Sequence, residues 1–221
     1  MTAVSRKRVA VLISGRGSNM AALIAAAEAP DFPAEIVAVL ADKTDAAGLD
    51  VARAHGIPAI AVPRNGFPDK AAHEAAVLAE LDRAAPDIIC LAGYMRLLSP
   101  AFIGRYHGRI ITLPPSLLPL FPGLDTHARA LAAGMRIHGC SVHFVTEGMD
   151  EGPVIAQAAV PVVPGDTPGS LAERVLVAEH RLYPAALAML AAGRVQMDEN
   201  GRSTFTPTTA LAADAILISA G

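Results

Sequence analysis

Val9-Ala-Val-Leu-Ile13, running straight into Ser14-Gly-Arg-Gly-Ser-Asn19, is the stretch from which the fold is read. Consecutive apolar residues with a β-branched side chain at every second position have the composition of a strand buried on both faces. The glycines end it, and Asn19 to about Ala27 reads as a helix that Ser18 or Asn19 is able to cap. Strand, glycine turn and helix together open a βαβ unit, and the same grammar recurs downstream. Ile36 to Leu40 is a second strand, with a helix from about Ala46 to Ala54 that ends at Gly56. Ile57 to Val62 is a shorter strand, Lys70 to Arg83 a longer helix, and Ile88 to Leu91 a fourth strand. Strict alternation of apolar strands and helices predicts a parallel sheet covered by helices on both faces.

Beyond the strand end Ile110-Ile-Thr112 the grammar changes. Cys140 to Val145 and Val154 to Val160 are two strands around a glycine-containing turn, which predicts antiparallel additions to the sheet. Thr167-Pro-Gly-Ser-Leu opens a long helix through Glu179 and His180, which Pro184 is expected to kink or divide. Val195 to Phe205 around Asn200-Gly201 reads as a small hairpin. The expected class is therefore α/β: one domain over 1–194 with a twisted, mostly parallel sheet and antiparallel additions, then a hairpin and tail over 195–221.

Composition removes several function classes. The 221 residues suit one domain, 52% are hydrophobic, 18% are charged, and the net charge is −3, so neither disorder nor a polyanion-binding surface is indicated. With no basic tract, 4% aromatics and no Trp, there is no stacking platform for nucleic acid. No run approaches the roughly 20 apolar residues of a membrane span. Cys90 and Cys140 are isolated and read as buried thiols, so a reduced, cytoplasmic protein is expected, as a monomer or homodimer, with no metal.

The motifs that could carry chemistry all follow strands. Gly15 and Gly17 let the backbone approach a ligand, and the helix behind them offers free N–H groups, with Ser18 and Asn19 as further donors; this is a cradle for phosphate. A glycine turn before a capped helix reads the same with no ligand at all. The dinucleotide fingerprint is incomplete, since the third glycine is absent and Asp42 does not clearly follow the second strand at the required place. After the fourth strand, Met95, Leu97 and Leu98 beside Arg96 form a possible wall for a flat apolar ligand, although such residues are more often core. Gly148 and Gly152 bracket Asp150 and Glu151, which lets the backbone set a carboxylate at a loop apex. His143 alternates with Val142 and Phe144, so it faces either the core or the cleft.

The segment Gly108-Arg-Ile-Ile-Thr-Leu-Pro-Pro-Ser-Leu-Leu-Pro-Leu-Phe-Pro-Gly-Leu-Asp-Thr-His127, together with these motifs, resembles the folate-dependent formyltransferases. In that family the strand ends Asn-x-His-Pro-Ser-Leu-Leu-Pro. The motifs run from about Val9 to Arg194 in family order and are most similar to the glycinamide ribonucleotide formyltransferase branch; the extra domains of the tRNA-formylating and hydrolase branches are not expected. The resemblance implies that Gly15, Gly17, Ser18 and Asn19 hold the substrate phosphate and Glu179 its ribose. It implies a pterin pocket built by Met95, Arg96, Leu97 and Leu98, with Lys70 towards the folate's glutamate tail. It implies that Asp150 orients and charges a catalytic histidine. Two positions depart from the family pattern: Thr112 stands at the Asn position and Pro114 at the His position. The implied reaction moves a formyl group from 10-formyltetrahydrofolate to glycinamide ribonucleotide, with Thr112, Pro114 and Asp150 at the reacting centre and His143 or His127 as surrogate donors. The alternatives are a homologue that binds both ligands without efficient turnover, or a formyltransferase for another amine.

Overall fold

The computed structural model describes residues 6–206. Seven strands form one sheet in the order β3-β2-β1-β4-β5-β6-β7: β1 Lys7–Ile13, β2 Ala34–Ala41, β3 Ala59–Ala61, β4 Ile88–Leu91, β5 Ile110–Thr112, β6 Ile137–Phe144 and β7 Val154–Pro161. The first five strands are parallel, and β6 and β7 are antiparallel additions, as the change of sequence grammar predicts. Strand order reverses at β1, which pairs β2 on one side and β4 on the other. In open α/β sheets ligands bind in the crevice beyond the strand ends at such a reversal. The loops that follow β1 and β4 are Gly15–Asn19 and Ala92–Leu98.

The alternation along β1 sorts the core into two layers. Val9, Val11 and Ile13 face a cluster with α1 (Ser18–Ala27), α2 (Gly48–Ala54) and the long helix near the C-terminus, residues 168–191. Ala10 and Leu12 face a second cluster with α3 (Lys70–Ala84) and α4 (Pro100–Arg105). Tyr183 on the long helix is fully buried, with its hydroxyl 3.0 Å from the Leu91 carbonyl and 3.1 Å from that of Ile111. The helix thereby fastens the ends of β4 and β5, the two strands that deliver the central loops.

Several local expectations are corrected. α1 is capped by neither Ser18 nor Asn19: Gly17 is the N-cap in the left-handed region (φ 71°), no side chain caps the helix, and Ser18 is its first residue. Pro184 does not divide the helix, which runs unbroken as α6 from Pro168 to Ala191. One lost backbone bond, worth about 3 kcal/mol in a helix interior, is outweighed by packing against α1, β6 and β7 along its length. α4 and α5 (Thr126–Ala132) are additional helices, each too short for a periodic apolar pattern. β8 (Val195–Met197) and β9 (Ser203–Phe205) form the expected hairpin as a separate two-stranded sheet, whose Val195 is buried in the main core. The tail after Thr206 lies outside the described residues.

Candidate active site

The glycine loop after β1 and the segment after β4 meet. The Met95 amide donates to Ser14 Oγ at 2.9 Å, so the two halves of the cleft are joined directly at the strand reversal. Behind the loop, the Gly48 amide donates to the Gly15 carbonyl, and a Cβ on Gly17 would stand 3.2 Å from Gly48 Cα. The close approach and the positive φ both explain the glycine at 17. No side chain caps the first amides of α1. Asn19 instead reaches across to α6, where its Nδ2 donates to Glu179 Oε2 at 2.7 Å. Glu179 is buried, and burial raises its carboxyl above the usual value while the Asn19 bond opposes the shift. Asn19 Oδ1 is buried with no partner. Buried polar groups normally have partners, so the Asn19–Glu179 pair is an arrangement suited to a ligand rich in hydroxyls.

A cleft beside this junction is lined by Tyr94, Arg96, Leu97 and Leu98, by Thr112 at the end of β5, by His143, and by Val145 to Asp150. Thr112 and His143 are directly opposed across the antiparallel β5–β6 pair, so their side chains share a face. His143 is therefore neither a plain core residue nor isolated. Its Nδ1 lies 2.7 Å from the Phe144 carbonyl, which has no proton to give, so Nδ1–H is the donor. In the neutral ring Nε2 then carries a free lone pair, 3.7 Å from Asp150 Oδ1. That separation is too long for a hydrogen bond and close enough for charge to matter. Gly152 makes room for this, because a Cβ there would come within 2.9 Å of His143 Nδ1 and closer still to the Phe144 carbonyl.

Asp150 sits at a loop apex in the left-handed region (φ 56°), and its Oδ2 accepts the Gly123 amide at 2.8 Å. His143, when its ring is protonated, and the Gly123 amide hold its carboxyl below the usual range, against the opposing effect of burial. It is an anion at neutral pH. Pro114 is buried, and its carbonyl is taken by the amides of Ser116 and Ser141 at 2.9 and 3.2 Å. It supplies the cleft with no donor.

The remaining expected site residues divide. Lys70 lies at the start of α3 in a groove shared with Arg64, Tyr94 and Arg96, consistent with a place beside the 94–98 segment. Met95 lines that neighbouring groove and not the cleft containing Thr112. His127 also misses the cleft: on α5 it packs edge-on against His138, ring centroids 5.2 Å apart. Asp42, contrary to expectation, follows β2 immediately, and its carboxylate is held by Arg96 at 2.6 Å. Ser14, Tyr94 and the 145–149 stretch also line or build the cleft. Their positions after strand ends were the available signal, but a serine or tyrosine there has no motif of its own. Among the described residues, no group of three or more His, Cys, Asp or Glu is placed to hold a metal ion, and no helix is long and apolar enough to cross a membrane.

The profile of the family described as Formyl transferase matches residues 7–187. The phosphoribosylglycinamide formyltransferase of Escherichia coli is 45% identical over 192 residues, 87% of this chain and 91% of that protein. The trifunctional purine biosynthetic protein adenosine-3 of Bos taurus is 46% identical over 89% of this chain, which spans only 20% of that longer protein. A solved structure, the phosphoribosylglycinamide formyltransferase of Brucella melitensis, is 64% identical and superposes with a TM-score of 0.83 over 86% of this chain and 97% of that one. The chain belongs to the formyl transferase family, in its phosphoribosylglycinamide formyltransferase branch.

Proposed function

We propose that this chain transfers the formyl group of 10-formyltetrahydrofolate to the amine of glycinamide ribonucleotide, with His143 acting where the family's missing imidazole would act. The observation that carries the reading is the convergence of Thr112, His143 and Asp150 in one cleft. That cleft lies beside the 94–98 wall, joined through Ser14 to the Gly15–Asn19 loop. The nucleotide phosphate sits on the amides at the start of α1, where the helix dipole favours an anion. Its ribose hydroxyls bond Glu179 and Asn19. The folate ring lies against Tyr94, Leu97 and Leu98, with its tail towards Arg96 and Lys70.

The chemistry needs little more than positioning, one donor and one base. The amine nitrogen attacks the formyl carbon, a C–N bond forms, and the carbonyl becomes an oxyanion. The Thr112 hydroxyl is the donor available to it. His143 Nε2 takes the proton released by the attacking nitrogen. The resulting imidazolium is stabilised by the charge of Asp150, which is already anionic and 3.7 Å away. The same proton is then delivered to the departing folate nitrogen as the second C–N bond breaks. Losing a well-placed oxyanion donor typically costs about 10²–10³ in rate, so turnover should be reduced relative to a family member with both Asn and His.

A second reading, a protein that binds both ligands without efficient turnover, is favoured by one fact. Pro114 has no donor and its carbonyl is already committed within the protein. Rapid mixing of the chain with both substrates, with formylated product measured directly, separates the two. Product formed at a rate well above the uncatalysed one supports the transferase reading. Tight binding of both substrates with no product supports the second. Failure to bind either would overturn both.

A further inference from the structure

Beyond the residues assigned so far, we propose that Asp42 is a positioning residue for the donor site: its buried carboxylate fixes the Arg96 guanidinium so that the outer N–H groups are presented to a carboxylate on the ligand. This rests on the folate reading above and adds to it a residue that touches no substrate. Asp42 is 3% exposed, and Oδ2 accepts from Arg96 Nε at 2.6 Å. Its backbone is fastened on both sides, the amide donating to the Ile13 carbonyl and the carbonyl accepting the Arg64 amide at 3.2 Å. Asp42 is thus a fixed post between the end of β1 and the segment that carries Arg64.

Arg96 is the more exposed partner, with its side chain 44% exposed. It is engaged through Nε alone, which leaves the planar fork of Nη1 and Nη2 to make a paired contact with a carboxylate. Arg96 borders three openings at once: the cleft of Thr112 and Asp150, the groove of Lys43 and Arg64, and the groove of Lys70 and Tyr94. A guanidinium at that junction can reach an extended anionic tail lying in any of them. An unfixed arginine would lose much rotamer freedom on binding, and a pre-set one loses little. Stability alone does not account for the pair. Asp42 Oδ1 is buried with no partner, and a buried ion pair that leaves an oxygen unsatisfied is poor evidence of a stabilising role.

The test compares two ligands that differ only at the tail: tetrahydrofolate, and the primary amide of tetrahydropteroate, which has neither the glutamate nor any other carboxylate. Dissociation constants are measured for the unaltered chain, Asp42→Asn, Asp42→Ser, Arg96→Ala and the Asp42→Asn/Arg96→Ala double variant, with thermal melting of each. The expected result is at least fivefold weaker tetrahydrofolate binding in both Asp42 variants and less than twofold change for the tetrahydropteroate amide. In the Arg96→Ala background, Asp42→Asn should have no further effect. Equal weakening of both ligands would mean a general structural role and would overturn the proposal, as would unchanged tetrahydrofolate binding in a folded variant. If the unaltered chain binds neither ligand, the folate reading itself falls and this inference falls with it. Should both Asp42 variants fail to fold, Asp42 is structural and the proposal is wrong.

Discussion

At the residue scale, the chemistry turns on which histidine stands near Asp150. Sequence offers two, and only cross-strand register separates them: His143 opposes Thr112, whereas His127 packs against His138. Replacing His143 by Gln, which cannot shuttle a proton at neutral pH, should lower single-turnover transfer by about 10²-fold or more, the usual scale of general acid–base catalysis. His127→Gln should leave the rate within about twofold. Equal losses in both would remove the special role of His143, and chemical-quench measurement of product is the readout. Much of this site is legible in the sequence. The glycine loop and the Asp150 loop are visible as motifs after strands, whereas Glu179, midway along α6, and the substituted Thr112 and Pro114 are marked only by the resemblance. What is not legible is any contact that depends on chain segments far apart in sequence. Ser14 meets Met95 and Asp42 meets Arg96 because strand order reverses at β1, and Asn19 meets Glu179 because α6 packs on α1.

At the element scale, the loop after β1 is rigid because α2 packs directly behind it. Gly17→Val forces a β-branched side chain into φ 71° and brings its Cβ to 3.2 Å from Gly48 Cα. It should weaken binding of glycinamide ribonucleotide at least tenfold, while folate binding changes little; calorimetric titration with each ligand tests this. Comparable loss for both would mean that the whole cleft collapses. α6 makes a second, separable contribution. Tyr183→Phe removes the hydroxyl near the Leu91 and Ile111 carbonyls and should cost about 1 kcal/mol of stability, seen as a lower urea midpoint with unchanged slope. No loss would show those carbonyls to be satisfied elsewhere. The sequence reveals the elements that fall in the strand–helix alternation, including the 7-residue α2, and others that carry a strong local pattern. β1, β2 and α3 announce themselves by unbroken apolar runs or by helical length, while α4 and α5 span only 6 and 7 residues, too few for periodicity to speak. Pro184 misleads for a related reason, since the rule that proline breaks helices is local and α6 is held by tertiary packing.

At the scale of the whole molecule, acid sensitivity should originate away from the catalytic cleft. His138 is buried, and burial depresses both His127 and His138 below the ordinary histidine value; the neighbouring His127 depresses His138 further. A depressed histidine is neutral in the fold and takes up a proton on unfolding. Its contribution is fully present above the unfolded value near 6.5 and is lost as pH falls through the lower folded one. Denaturant unfolding followed from pH 8 downward should therefore show stability falling below about pH 6.5. In His138→Gln that fall should be shallower. An identical pH dependence in the variant would place acid sensitivity elsewhere.

Catalysis by the whole cleft acting as one unit, without the family's Asn and His, is tested most directly by single-turnover formyl transfer. The reaction runs from 10-formyltetrahydrofolate to glycinamide ribonucleotide, at saturating concentrations of both. The unaltered chain should be compared with His143→Gln and with Thr112→Asn/Pro114→His, made alone and on top of His143→Gln. The expected results are measurable transfer by the unaltered chain, its near loss in His143→Gln, and recovery when the double substitution supplies the amide and the imidazole. Transfer that is absent in the unaltered chain despite binding of both substrates, or that is indifferent to His143→Gln, would contradict this mechanism.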